Sequence, residues 1–271
     1  MRRLLQTPPV HSLLYAPAVK RRLDHAPFTR KLYKVWDRGH PFDYQFGVDT
    51  LGMVAADRIT EDKRLAAQIL WYLGSQPSIV RRALATLGAV EDYTLLDFGC
   101  GKGRAAIVAS EFPFRQVIGV ELSPALAARA QANVAIIANR FPERPGITIL
   151  NANVLEFRLP AGKLAIFAYH PFGPELLAMV VKRLEAALAA GTPHIFFVYD
   201  NPKHADVLDA SPAFQRYYAE VIPYDKSELG FVVGKDDPVV IWQSVRGAIP
   251  TPQIEIGSGV RVVRGKAEPK N

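Results

Sequence analysis

One cysteine, Cys100, stands in a chain of 271 residues. That scarcity excludes a disulfide framework and a cysteine-based zinc site, and it suits a reducing, cytoplasmic setting. No apolar run approaches the roughly 18 residues that span a bilayer, so no membrane span is expected. Arg2 and Arg3 open the chain, but Pro8 and Pro9 break the apolar stretch behind them almost at once. A secretory signal is therefore not expected. The histidines lack a spacing such as H-x-x-x-H, and no metal is expected. There is no internal repeat.

What is present describes a globular protein with a core. Hydrophobic residues make up 49% of the chain, and the mean hydropathy is +0.04. The length suits one large domain with an extension. The formal charge of +7 is unevenly placed. Residues 1–40 hold nine Lys or Arg against Asp24 and Asp37, which leaves 24 basic and 24 acidic residues in the rest. The basic character thus belongs to an N-terminal arm. Such an arm could meet an anionic partner (nucleic acid, an acidic protein or anionic lipid) or could simply be solvated.

The chain is organised around Leu95-Leu96-Asp97-Phe98-Gly99-Cys100-Gly101-Lys102-Gly103-Arg104. An apolar run ends in an acid, three glycines follow at alternate positions, and a helical pattern begins at Ala105. This is strand, tight turn and helix, with glycine where a Cβ would block positive φ or hold a ligand off the backbone N–H groups. The pattern marks a nucleotide-type cofactor loop.

Strands and helices alternate from there. Strands are expected at about 93–98, 116–121, 147–151, 164–169 and 194–199, with helices at about 103–112, 124–139 and 175–190. A helix beginning at Pro77-Ser78 precedes the first strand. Short apolar runs without alternation suit parallel strands covered on both faces, which gives a doubly wound α/β sheet. After a helix near 203–209, the runs Phe214–Ile222 and Val239–Gln243 lack a crossover helix between them and should pair antiparallel. Residues 1–40 suggest short helices, and Phe42–Thr50 an ordered loop. The tail beyond Ser244 carries little periodicity.

The loop reads G-x-G-x-G, with Arg104 where a dinucleotide fingerprint has its third glycine, and no G-K-[ST] marks a P-loop. Glu121, ending the second strand, can accept hydrogen bonds from both hydroxyls of a ribose. Asp97 either meets the ligand or caps the turn.

Leu95–Arg104, Val117–Pro124 and the closing antiparallel pair together resemble class I S-adenosylmethionine-dependent methyltransferases. The resemblance spans about residues 42–245. It is strongest to bacterial methyltransferase-domain proteins that resemble the non-SET histone lysine methyltransferases in their cofactor half. It implies an α/β, mostly parallel seven-stranded sheet of order 3-2-1-4-5-7-6 with the last strand antiparallel. The organisation it implies is a basic N-terminal extension and lid over 1–75, an S-adenosylmethionine-binding domain over 76–245 and an irregular tail over 246–271. By the same resemblance the loop Gly99, Gly101 and Gly103 carries the methionine part of the cofactor, Glu121 the ribose, and Leu122 lies against the adenine. Asn153 stands where related sequences have an aspartate near the adenine amino group. Thr50, a cofactor-binding candidate, forms with Asp49 and Tyr44 a lid over the cofactor.

His170-Pro171-Phe172 stands where the family tends to have Asn-Pro-Phe. His170 is the candidate catalytic or substrate-orienting residue, because a histidine accepts a hydrogen bond or takes a proton near neutrality. Asn201 is a second catalytic candidate, and Pro171, Phe172, Tyr199 and Tyr44 are candidate substrate contacts. Cys100 is a small filler. The implied activity is methyl transfer to an unidentified nucleophile, whether an amine such as a protein lysine or a small molecule. An NAD(P)-linked oxidoreductase, or an inactive cofactor-binding or RNA-binding protein, are the alternatives.

Overall fold

The computed structural model describes residues 39–69, 71–231, 234–251, 260–263 and 266–269. The basic arm, including the short helices expected before residue 39, lies outside them. Five parallel strands, β3 (Tyr93–Phe98), β4 (Gln116–Glu121), β5 (Ile147–Asn151), β6 (Lys163–Tyr169) and β7 (Ile195–Asp200), form the body of the sheet. Two longer strands, β8 (Phe214–Pro223) and β9 (Asp236–Ser244), complete it in the order β5-β4-β3-β6-β7-β9-β8. β9 runs antiparallel to both β7 and β8. This is the order 3-2-1-4-5-7-6 implied by the resemblance, with its last strand antiparallel.

The strands are apolar on both faces because both faces are covered. Leu95, Ala165, Phe167, Phe196 and Val198 point into one core, shared with α3 (Pro77–Ala85) and α4 (Arg104–Ala109). Their neighbours Leu96, Leu164, Ile166, Ile195 and Phe197 point into the other, against α6 (Pro174–Ala189). The period of two is thus intact, although the sequence shows unbroken hydrophobic runs. In α3, Ile79, Val80, Ala83 and Leu84 are buried along one stripe. Burying each large apolar side chain contributes about 1.5–3 kcal/mol. α5 (Pro124–Arg140) begins on Ser123, whose hydroxyl accepts from Leu126 N, and covers β4 and β5.

Two expectations need correction. Phe42–Thr50 is not a plain loop: α1 (Pro41–Phe46) occupies most of it. Pro41 opens the helix, the His40 side chain accepts from Phe42 N, and Gly47 closes it at φ 70°. A capped helix of six residues is too short to show hydrophobic periodicity. The tail holds a hairpin of β10 (Val260–Val263) and β11 (Lys266–Pro269).

Between α1 and α3 the chain forms a small cover over the sheet: β1 (Met53–Val54) pairs antiparallel with β2 (Tyr72–Leu73), and α2 (Lys63–Ala66) lies between. Ile69 bridges to Phe172, and Gly173 N donates to Gln68 O at 2.6 Å, so this cover is tied to the turn after β6.

Candidate ligand site at the sheet edge

The carboxyl ends of β5, β4, β3 and β6 open onto one cavity, which the cover closes from above. Strand ends at this edge are where open α/β sheets bind ligands. Asn153 follows β5, Glu121 ends β4, Asp97 and the glycine loop belong to β3, and Pro171 and Phe172 follow β6; all line the cavity except that the loop contributes only Gly99 and Cys100, not Gly101 or Gly103. Ile59, Leu65, Ile69 and Trp71 of the cover wall its upper side.

The loop itself is held by carboxylates. Gly99, Gly101 and Gly103 have φ of 73°, 55° and 86°. Glu121 Oε2 accepts from Gly101 N and Oε1 from Ser123 N, both at 2.8 Å. One side chain thus fixes both the loop and the turn into α5, and the carboxylate, with about four acceptor sites, is not saturated by these donors. Burial raises its pKa, opposed by these backbone donors. Asp97 Oδ2 accepts from Ala106 N at 3.1 Å, satisfying an orphan donor in the first turn of α4. It therefore caps the helix, and it also lines the cavity. Burial, with Glu121 nearby, pushes its pKa up to about 7.

The remaining predicted residues divide. Leu122 lines the cavity beside Asn153. Asn153 is engaged in its own turn, accepting from Leu155 N at 3.0 Å and donating to Glu156 at 3.1 Å. Thr50 lies outside the cavity wall: its hydroxyl meets Asp43 and accepts from Arg104 Nε at 2.7 Å. Tyr44 is 71% exposed and packs over Gly39, on a separate surface hollow.

His170 also faces away from the cavity lining. Its Nδ1 pairs with Tyr199 Oη at 2.9 Å and its ring lies 5.3 Å from that of His204. Burial, with His204 and Lys203 nearby, lowers its pKa to about 4. Its φ is 38° and that of Asn201 is 53°. Asn201 N donates to Pro238 O, which ties that turn to β9. The structure thus brings His170, Tyr199 and Asn201 to the ends of β6 and β7, behind Pro171 and Phe172.

Three residues escaped the sequence reading. Tyr72 is buried against Gly101 and donates from Oη to Thr50 O at 2.6 Å. Asp43, buried, accepts from Thr50 N at 3.0 Å and Leu51 N at 2.9 Å and anchors the cover. Arg104 is 3% exposed and lines the cavity. Arg104 had a visible signal: a charged residue directly after the loop, in an otherwise apolar helix. Asn133 and Lys102 complete the joint, as Asn133 Nδ2 donates to Asp49 O and Lys102 O, and Lys102 Nζ to Leu51 O. Among the described residues no cluster of three potential metal ligands occurs, and no helix is long and apolar enough to cross a membrane.

The fold and this edge define a doubly wound α/β protein with a ligand crevice over a glycine loop, on the sheet implied by the methyltransferase resemblance. No protein-family model matches the sequence, and a comparison with curated proteins finds no match. Among solved structures, the magnesium protoporphyrin IX methyltransferase of Synechocystis, with bound S-adenosylmethionine, is similar at TM-score 0.43 and 16% identity, over 62% of this chain and 76% of that one. The ribosomal protein L11 methylase of Lactobacillus delbrueckii is similar at TM-score 0.40 and 18% identity, over 60% and 76%. A TehB-like S-adenosylmethionine-dependent methyltransferase of Corynebacterium glutamicum gives 0.39 and 17%, over 60% and 86%. At these identities and scores nothing about acceptor or residue roles passes from them to this chain.

Proposed function

We propose that the chain is an S-adenosylmethionine-dependent methyltransferase. The observation that carries this is Glu121, a buried carboxylate at the end of β4 that holds Gly101 N and still faces the cavity with free lone pairs. That arrangement suits a ribose diol beside a bare-backbone loop. The donor set fits the cofactor along its length: Leu122 and Asn153 beside the base, Glu121 at the sugar, Gly99, Cys100 and Asp97 at the amino-acid end. The cofactor supplies a methyl already activated on a sulfonium. The chain's part is to bind, orient and exclude water, which the apolar cover and Phe172 favour.

In this reading Pro171 and Phe172 wall the acceptor side. His170, turned to Tyr199, holds their turn from behind, in a neutral form at pH 7. The acceptor is an amine, such as a protein lysine, or a small molecule, and the basic arm is a candidate contact for an anionic partner.

Calorimetric titration with S-adenosylhomocysteine and with NADH tests the cofactor. Micromolar binding of the first and none of the second is expected. The reverse result would replace the proposal with a nicotinamide-linked oxidoreductase.

A further inference from the structure

The cavity is lined by a buried cation with an unsatisfied donor. Arg104 Nε donates to Thr50 Oγ1 at 2.7 Å, and Nη1 reaches Gly74 O at 3.1 Å and Ser75 O at 3.4 Å. Its Nη2 is buried and has no hydrogen-bond partner among the described residues. Among the described residues no carboxylate forms an ion pair with the guanidinium: its hydrogen-bond partners are one hydroxyl and two carbonyls. Burial accordingly lowers its pKa from the usual arginine value. Asp43 and Glu228 act on it electrostatically, Asp43 through the Thr50 hydroxyl, but neither satisfies Nη2. A buried charged donor left unpaired is costly, so the position makes physical sense if an anion joins Nη2.

The direction of the cavity says which anion. Along the sheet edge the order is Asn153 on β5, Glu121 on β4, the glycine loop on β3 and Tyr169 on β6. Arg104 stands at the β6 side, within electrostatic reach of Tyr169 and against Gly74 and Ser75. A nucleoside whose sugar lies on Glu121 and whose base lies toward Asn153 extends its other end over the loop toward Arg104. A planar guanidinium is suited to a carboxylate there.

We infer that Arg104 is the receptor for the carboxylate of the bound cofactor's amino-acid end, through the unpartnered Nη2. This rests on the cofactor proposed above and adds a residue and a charge to it. Arg104 also joins the ligand to the cover, since its other nitrogens hold Thr50, Gly74 and Ser75.

The test is calorimetry on the full chain with two probes: S-adenosylhomocysteine, and its decarboxylated analogue, which keeps the amine. Wild type is expected to bind the first about 10–100-fold more tightly, as loss of a charge-assisted hydrogen bond implies. In Arg104→Gln that ratio should fall to near one, while Arg104→Lys should keep part of it. The ratio, rather than either affinity, is the readout, because a merely structural role weakens both probes alike. A ratio retained in Arg104→Gln overturns the inference. A wild type that binds both probes equally overturns it with no variant needed. A wild type that binds neither probe overturns the cofactor proposal, and this inference with it.

Discussion

A Cβ added to Gly101 would stand 2.0 Å from Cε2 of the Tyr72 ring, so the glycine loop and its cover are built in contact. The loop takes φ of 55° at Gly101, and Tyr72 in turn reaches across to Thr50 O. Gly101→Ala meets both a disfavoured backbone and a ring with no room. It should cost about 2–5 kcal/mol in stability by denaturant unfolding. Gly88 has φ 75° but nothing within 4 Å of its would-be Cβ. Gly88→Ala should therefore cost about 1–2 kcal/mol. Equal losses at the two sites would show that Tyr72 yields freely.

Asp43 gathers Thr50 N, the Thr50 hydroxyl and Leu51 N on one buried carboxylate. Asp43→Asn turns an acceptor-only group into one that also donates, facing three donors. A loss of about 2–4 kcal/mol in unfolding free energy is expected, with faster amide exchange at Thr50 and Leu51. A change within 0.5 kcal/mol, the range of ordinary surface substitutions, would mean the cover is held elsewhere.

The body of the sheet was legible because its signals are local. Unbroken apolar runs such as Leu164–Tyr169, the prolines Pro77 and Pro124 at the starts of α3 and α5, and the missing crossover between Phe214–Ile222 and Val239–Gln243 each reflect one element's own needs. Glu121 was legible as well, since its place follows from its strand. The cover was not. β1 and β2 have two residues each, too few for a pattern, and α1 is a six-residue helix whose cap is a histidine side chain. Arg104 was noticed only as a glycine that is absent, because its partners Thr50 and Gly74 are 54 and 30 positions away. His170 was placed on the correct sheet edge, but its orientation toward Tyr199 depends on a positive φ that the sequence His-Pro does not announce.

Asp97 should make ligand affinity depend on pH. With its pKa at about 7, the carboxyl is largely protonated below neutrality. A ligand ammonium prefers the ionised form, so the proton must leave on binding. Affinity for S-adenosylhomocysteine should fall by up to tenfold per pH unit below about 7, and Asp97→Asn should flatten the profile. A flat wild-type profile between pH 5.5 and 8 would contradict this role.

Asp200 is fully buried, and burial with Asp237 beside it raises its pKa well above the ordinary carboxylate value. The native state therefore keeps a proton that the unfolded chain releases above its ordinary pKa near 4. Stability falls as pH rises through that window, by up to about 1.4 kcal/mol per unit for one proton. Asp200→Asn resembles the protonated acid. Its melting temperature should exceed that of wild type at pH 8 and converge with it toward pH 4. A variant less stable than wild type at pH 8 would show Asp200 to be ionised.

The most direct measurement is calorimetry with S-adenosylhomocysteine on wild type and Glu121→Ala, with folding of both checked by thermal denaturation. If Glu121 receives the ribose, wild type binds and the variant binds about 10–100-fold more weakly, which corresponds to a loss of about 1.4–2.8 kcal/mol. Equal affinities in two folded proteins would contradict the assignment of the cavity.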